Sequence, residues 1–324
     1  MGCSFYTFIK LKRHESLTKN TMQRTFCSVI RCLKNMIYKK IMINNFGLDA
    51  FVVNNFKHVK LWQLMLPFLV LILFFLFFLF SEETNFVDAY VESQKGLFLS
   101  MNSTLAAYPN IQLNITELGD VFVIFPLIIV FLFYAPKLWE VLLTSSLITL
   151  ILAAVLKKYF YVPRPAHVYD IDSFIIIGKT HLGNKSFPSG HSMTIFVVII
   201  LLLFAFMPKK KSYTIVWSLL MLLAGFSIAF SRVAVGAHYP FDVVIGIALG
   251  FIAVIIGIRV NNNVRWLVWI KNKRFYPGFM LLLIIWIALI ILKIIDHNLP
   301  IFYLSLISLV GTLFLITRAY AKKN

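Results

Sequence analysis

The sequence contains few charged residues and few cysteines, and each shortage excludes a class of protein. Only 14% of its 324 residues are charged, whereas 60% are hydrophobic. Soluble domains carry roughly a quarter charged residues, so a soluble globular domain is excluded. All three cysteines, Cys3, Cys27 and Cys32, precede the first long apolar stretch. Neither a disulfide framework nor a cysteine metal site is therefore expected.

Acidic residues are also scarce, since 13 Asp and Glu stand against 31 Lys and Arg, a formal net charge of +18. The basic residues are spread over short segments between apolar stretches and form no single patch. This distribution does not indicate nucleic-acid binding. It is typical of a membrane protein with basic cytoplasmic loops.

Eight apolar stretches approach the length that crosses a bilayer, roughly 17 to 25 residues. They lie at about residues 61–80, 121–134, 138–156, 192–207, 213–230, 243–258, 278–295 and 301–317. In lipid, the polar groups of the backbone must be satisfied within the segment. The sequence therefore predicts an all-α fold, a polytopic bundle of transmembrane helices.

The charges of the loops orient this bundle. Residues 1–60 hold eleven Lys or Arg against two acids, and residues 259–274 hold five basic residues on the same side. The positive-inside rule makes that side cytoplasmic. The opposite side receives four segments: the acidic loop 81–120, residues 157–191, the turn 231–242 and the link at 296–300.

Residues 1–60 are predicted to be a basic cytoplasmic tail. Their first part lacks the apolar core of a cleaved signal peptide, and Tyr6 stands where the myristoylation pattern requires Ser or Thr. We therefore expect neither processing event. Met22, Met36 and Met42 are candidate translation starts within this tail.

Two segments on the outer side carry groups suited to bind an anion. Lys157 follows the third apolar stretch, and Arg164 stands between two prolines, where its planar fork suits phosphate oxygens. Ser189, Gly190 and His191 precede the fourth stretch, where backbone amides at a helix start form an anion site. Snorkelling cations and an ordinary helix cap are the alternative interpretations.

A third segment, residues 231–242, connects the fifth and sixth stretches. It contains Arg232, and it places His238 four residues before Asp242. A carboxylate at this spacing can hold one nitrogen of the imidazole and leave the other free to attack. A buried carboxylate near a membrane helix needs a partner, although a His–Asp pair that only ties two helices together is an alternative.

The three segments together closely resemble the signature of the type 2 phosphatidic acid phosphatase superfamily. The spacings are Lys157, six residues and Arg164-Pro165; then 188–191, Pro-Ser-Gly-His; then Ser231-Arg232, five residues, His238, three residues and Asp242. The resemblance covers a six-helix phosphatase core at about residues 61–258. The tail 1–60 and two additional transmembrane helices within 259–324 lie outside it.

By this resemblance, His238 is the nucleophile that forms a phosphohistidine, Asp242 orients it, and His191 is the acid that protonates the leaving alkoxide. The phosphate oxygens would be bound by Lys157, Arg164, Ser189, Gly190 and Arg232. The resemblance implies no catalytic metal and no other cofactor. The implied partners are a membrane and a lipid phosphate substrate.

Several functions compete for this pattern. A lipid phosphate phosphatase explains the outer cations, the His–Asp spacing and the apolar stretches together. A lipid phosphotransferase would pass the phosphoryl group to a second lipid, and the motifs do not separate the two. Related vanadium haloperoxidases share the anion pocket but are soluble. A transporter, a scaffold or a catalytically inactive membrane binding protein needs no such triad.

The sequence selects neither the lipid nor the oligomeric state. The candidate substrates are lipid A, undecaprenyl pyrophosphate and phosphatidylglycerophosphate, or phosphatidic acid and sphingoid phosphates in a eukaryotic cell. The abundance of Lys, Asn, Ile and Phe is typical of an AT-rich genome. We therefore expect a bacterial inner (cytoplasmic) membrane protein with its active site on the periplasmic side.

The predicted orientation can be tested by labelling intact cells. After the native cysteines are replaced, Asn184→Cys should react with a membrane-impermeant thiol reagent, because residues 157–191 are predicted to lie outside. Lys210→Cys should be protected until the membrane is permeabilised. The reverse pattern would invert the topology.

Overall fold

The computed structural model describes residues 47–79 and 85–321. Asp49–Asn324 forms one compact unit. The unit Met1–Leu48 lies almost entirely outside the described residues, together with most of the predicted basic tail and all three cysteines.

Helices dominate the described residues, which contain no strand and confirm the all-α prediction. Residues 47–57 are helical, and short 3-10 helices occur at Leu61–Leu64, Ile171–Ser173, Val268–Lys271 and Lys273–Phe275. The α-helices from residue 65 onward are named here in chain order: α1 (Met65–Leu79), α2 (Phe86–Leu105), α3 (Pro109–Glu117), α4 (Val121–Ile128), α5 (Phe131–Tyr134), α6 (Pro136–Phe160), α7 (Pro165–Val168), α8 (Gly190–Ala205), α9 (Lys211–Ala234), α10 (Pro240–Asn261), α11 (Tyr276–His297) and α12 (Pro300–Ala321).

Among the described residues, six helical segments are long and apolar enough to cross a membrane. They are Leu61–Leu79, Pro136–Val168, Lys211–Ala234, Pro240–Asn261, Lys273–His297 and Pro300–Ala321. These segments correspond to six of the eight predicted stretches. The two other stretches, 121–134 and 192–207, form structures of a different kind.

The stretch 121–134 is not the single straight helix that was predicted. It is divided between α4 and the one-turn helix α5, and α4 is bent by 69° relative to α3. We call residues 109–128 the α3–α4 elbow. Pro126 lies inside α4, and its ring removes the backbone donor that would bind the carbonyl of Phe122. Residues 81–120, predicted as a loop, are also mostly helical, because they contain α2 and α3.

Helix α8 has only 16 residues because it lies inside the bundle. It packs against α6, α9 and α10, and 12 of its residues are buried. A helix shielded from lipid by its neighbours does not need to match the thickness of the bilayer. Asn55 completes its C-terminal end by donating to the carbonyls of Ala205 and Met207, at 3.0 and 3.2 Å.

Two glycines of α10 allow the close contact between α8 and α10. A Cβ on Gly246 would lie 2.8 Å from the carbonyl oxygen of Ser189, and one on Gly250 would lie 2.7 Å from that of Met193. Small residues four positions apart let membrane helices approach closely. This contact sets the position of residues 189–193 relative to the start of α10.

Because α8 and α10 touch at Gly250, one methyl group added there should weaken the packing of the two helices. Gly250→Ala should lower stability by about 1–3 kcal/mol, since α8 must move away from the added Cβ. Gly311→Ala is the matched control, because Gly311 lies in α12 and a Cβ there meets nothing within 4 Å. Thermal unfolding in detergent measures both, and an equal response of the two variants would contradict the close packing.

Candidate active site

The three predicted segments meet at one end of the bundle. This end contains the C-terminal ends of α6 and α9 and the N-terminal ends of α8 and α10. The backbone N–H of Ser189 donates to the carbonyl of Asp242 at 3.0 Å, and Arg164 donates to the carbonyl of Ala237 at 3.3 Å. The helix packing therefore brings together residues that are far apart in the sequence.

His238 lies in the turn between α9 and α10, buried against Asp242. Its Nδ1 is 3.2 Å from Oδ2 of Asp242. Because a carboxylate only accepts hydrogen bonds, Nδ1 carries the proton and Nε2 keeps its lone pair. Burial, and then the positive charges of Arg164 and Arg232, lower the pKa of His238 well below its ordinary value. The imidazole is therefore neutral at physiological pH, as a nucleophile must be.

Asp242 is fully buried and receives three further hydrogen bonds. The hydroxyl of Tyr90 donates to Oδ1 at 2.6 Å, while the hydroxyl of Ser186 and the N–H of Tyr239 donate to Oδ2 at 2.5 and 2.9 Å. Burial, and then the negative charge of Asp242, raise the pKa of Tyr90 well above its ordinary value. Its hydroxyl thus stays protonated and fixes the carboxylate that holds His238.

The helix α2 supports this turn at both ends through one polar face. Gln94 accepts from the N–H of Phe241 at 2.7 Å. Asn102 donates to the carbonyls of Val233 and Ala234, at 3.0 and 3.1 Å. Gln94 follows Tyr90 by four positions and Asn102 follows Gln94 by eight, so the three side chains share one side of the helix. The segment 81–120, predicted only as an acidic outer loop, therefore positions the candidate site.

His191 is the second residue of α8, and its ring packs against the backbone of the α3–α4 elbow. A Cβ on Gly119 would lie 2.8 Å from the Cβ and 3.0 Å from the Cδ2 of His191. Only glycine leaves room for the ring at this position. The elbow thus fixes one side of the imidazole.

The start of α8 has unused hydrogen-bond donors. Ser189 caps the helix, and its hydroxyl accepts from the N–H and the hydroxyl of Ser192, at 3.4 and 2.9 Å. Its own hydroxyl proton remains available for donation. The N–H groups of Gly190 and His191 have no backbone partner within the described part of the chain. Capping and anion binding by this segment are therefore compatible.

Three cations border the same end of α8. Arg232 is buried and donates to the hydroxyl of Thr116 at 2.9 Å, while its Nε has no partner among the described residues. Lys157 donates to the carbonyl of Lys185 at 2.8 Å. Within residues 47–79 and 85–321, no carboxylate forms an ion pair with Lys157, Arg164 or Arg232. Cations gathered without carboxylate ion-pair partners favour a phosphate-sized anion.

Sequence comparisons identify the family of this arrangement. A profile of the PAP2 superfamily matches residues 138–266, which include all eight predicted site residues. Phosphatidylglycerophosphatase B of Bacillus subtilis is 30% identical over an alignment of 197 residues, and the match covers 56% of this chain and 88% of that protein. The chain belongs to the PAP2 superfamily.

Two more comparisons involve a lipid A 1-phosphatase and a solved structure. The Rhizobium etli lipid A 1-phosphatase is 33% identical over 120 residues, and the match covers 36% of this chain. The chain thus spans only 47% of that relative's length. The crystal structure of Aquifex aeolicus LpxE is 26% identical, covers 51% of this chain and 94% of its own, and aligns with a TM-score of 0.43.

Several residues of this PAP2 protein that position the site were not predicted from the sequence. Tyr90, Thr116 and Gly119 precede the matched range. The signal for Tyr90 was only the four-residue spacing of polar groups along α2, and Thr116 and Gly119 carried no signal. His181, which was not among the predicted site residues, lies near Arg232 and Arg164. Burial and then these two charges lower its pKa to about 4, so it is neutral.

The bond between Tyr90 and Asp242 can be tested by removing one oxygen. Tyr90→Phe should reduce kcat about tenfold or more, because a hydrogen bond to a charged group contributes about 1.5–3 kcal/mol. KM should change little, since Tyr90 forms no hydrogen bond with a predicted phosphate ligand among the described residues. Tyr303→Phe is the control, because Tyr303 lies in α12 and its hydroxyl donates to Asn298, which follows α11. Equal kcat values in the two variants would contradict the positioning role of Tyr90.

Proposed function

We propose that this integral membrane PAP2 protein is a lipid phosphate phosphatase, which hydrolyses a phosphomonoester or diphosphate through a phosphohistidine. The observation that carries the proposal is the buried His238–Asp242 pair. Among the described residues Nε2 of His238 has no hydrogen-bond partner, and the three cations at this bundle end form no ion pair with a carboxylate. Phosphoryl transfer requires positioning and cations around the equatorial oxygens, and this end of the bundle offers both.

In the first step, Nε2 of His238 attacks phosphorus and the bond from phosphorus to the ester oxygen breaks. Burial and the charge of Arg232 lower the pKa of His191 when no anion is bound, so His191 takes up its proton together with the anionic substrate, whose negative charge stabilises the imidazolium. It then gives this proton to the ester oxygen, and the lipid leaves as an alcohol. Asp242 stabilises the positive charge that develops on His238. Lys157, Arg164 and Arg232, with Ser189 and the N–H of Gly190, bind the phosphoryl oxygens.

In the second step, a water molecule attacks the phosphohistidine. His191, neutral after its first donation, takes a proton from this water, and the bond from Nε2 to phosphorus breaks. Inorganic phosphate leaves and His238 returns to its neutral form. His191 thus acts first as an acid and then as a base, because the water attacks from the side on which the alcohol left.

The substrate proposed is a lipid phosphate exposed in the outer leaflet of a bacterial inner membrane. Two relatives are named for lipid A and for phosphatidylglycerophosphate. The large apolar side chains of α1, among them Leu66 and Phe75, are mostly exposed and face the surroundings of the bundle. A lipid can therefore stay in the bilayer while its headgroup reaches the cations.

Phosphate release by the purified protein tests this function. The wild type should release phosphate from at least one of lipid A, undecaprenyl pyrophosphate and phosphatidylglycerophosphate, and from p-nitrophenyl phosphate. His238→Ala should lose both activities. His191→Ala should lose far more activity on the lipid, because p-nitrophenolate is a weak base and leaves without a proton.

Three outcomes would contradict parts of the proposal. If the phosphoryl group of a radiolabelled substrate moved to a second lipid and not to water, the protein would be a phosphotransferase. Equal losses in His191→Ala on the two substrates would contradict the assignment of the acid. An acid-labile phosphoenzyme that persists in His238→Ala would contradict the nucleophile.

A further inference from the structure

The helices α11 and α12 follow the range that the PAP2 profile matches, yet they bind the α3–α4 elbow. Trp286 of α11 donates its indole N–H to the carbonyl of Phe122 at 3.0 Å. This carbonyl is the one that Pro126 leaves without its helical donor. From α12, Ser305 donates to the carbonyl of Val123 at 3.0 Å. These two helices pack against each other and form the C-terminal hairpin, residues 276–321. The hairpin thus supplies hydrogen-bond donors to backbone carbonyls of the elbow in an apolar environment.

A charged contact joins the same elements next to the candidate active site. The ammonium of Lys293, one turn before the end of α11, lies 3.0 Å from Oε2 of Glu117 and 2.7 Å from Oδ2 of Asp120. These two acids lie on either side of Gly119, which packs on His191, and Glu117 directly follows Thr116, which binds Arg232. Through the elbow, Lys293 is therefore connected to the predicted site residues His191 and Arg232.

The two carboxylates are unfavourable neighbours for a phosphate site. Both Glu117 and Asp120 are close enough to Arg232 to act on its guanidinium electrostatically. Negative charge near a bound phosphate repels it, and the repulsion is strong where little water screens it. Without a compensating cation, these acids would compete with the substrate for the positive charge of Arg232.

We propose that Lys293 compensates the charge of Glu117 and Asp120 and so preserves the anion affinity of the site. Lys293 contacts no substrate. It is a positioning residue that acts through the elbow, and the helix that carries it has a role in substrate binding. An ionisable residue within a membrane helix is costly to bury, which argues that its placement has a function. The inference rests on the proposed function for the identity of the anion.

Binding of orthovanadate, a phosphate analogue, provides a test that does not require turnover. Its affinity is measured by thermal shift in detergent for the wild type and for Lys293→Met. We expect Lys293→Met to bind orthovanadate about tenfold more weakly, because one cation near two carboxylates has been removed. In turnover assays, KM should rise more than kcat falls. Lys293→Arg should retain the affinity of the wild type.

A second variant separates the effect of charge from loss of the ion pair. Lys293→Met/Asp120→Asn has the same local net charge as the wild type but cannot form the pair of Lys293 and Asp120. Asn at position 120 still caps α4, where Asp120 now accepts from the N–H of Phe122 at 2.9 Å. We expect the double variant to recover most of the affinity.

The outcomes distinguish this inference from the proposed function. Unchanged orthovanadate affinity in Lys293→Met would overturn the inference alone. A double variant as weak as Lys293→Met would show that the contact is only structural, and would also overturn it. A wild type that neither binds orthovanadate nor releases phosphate would overturn the proposed function, and the inference with it.

Discussion

The end of the bundle depends on one buried negative charge, the carboxylate of Asp242. A buried carboxylate is tolerated only when donors satisfy its oxygens. Here the donors come from α2, from the segment before α8 and from the turn before α10, through Tyr90, Ser186 and the N–H of Tyr239. Satisfying this carboxylate therefore requires all three segments to adopt one arrangement. The same arrangement aims Nε2 of His238 away from the carboxylate.

Around this charge, the cations are held by neutral groups. Arg164 and Lys157 donate to backbone carbonyls, and Arg232 donates to the hydroxyl of Thr116. Carbonyls and hydroxyls fix the direction of these side chains without cancelling their charge. The site is thus preorganised for an anion, and little reorganisation is needed when charge develops on the transferred phosphoryl group.

The bent elbow connects the candidate site to the rest of the bundle. Its backbone packs against His191 at Gly119, and its opposite side is satisfied by donors from α11 and α12. Pro126 inside α4 interrupts its backbone hydrogen bonds, and in an apolar environment neighbours must supply the missing ones. The C-terminal hairpin supplies them and also places Lys293 beside the two acids of the elbow.

The sequence by itself determined the elements whose signals are local. Long apolar stretches predicted the helices, because lipid forces backbone hydrogen bonds within a segment. The four-residue spacing of His238 and Asp242 predicted their contact, although His238 reaches Asp242 from the turn that precedes α10 and not from within a helix. Tertiary structure alone decided the bend between α3 and α4, the burial of the short helix α8, and the bonds of Tyr90 and Lys293 to acids. These depend on which distant helices meet, and in a chain this apolar nearly every helix could pack against several others.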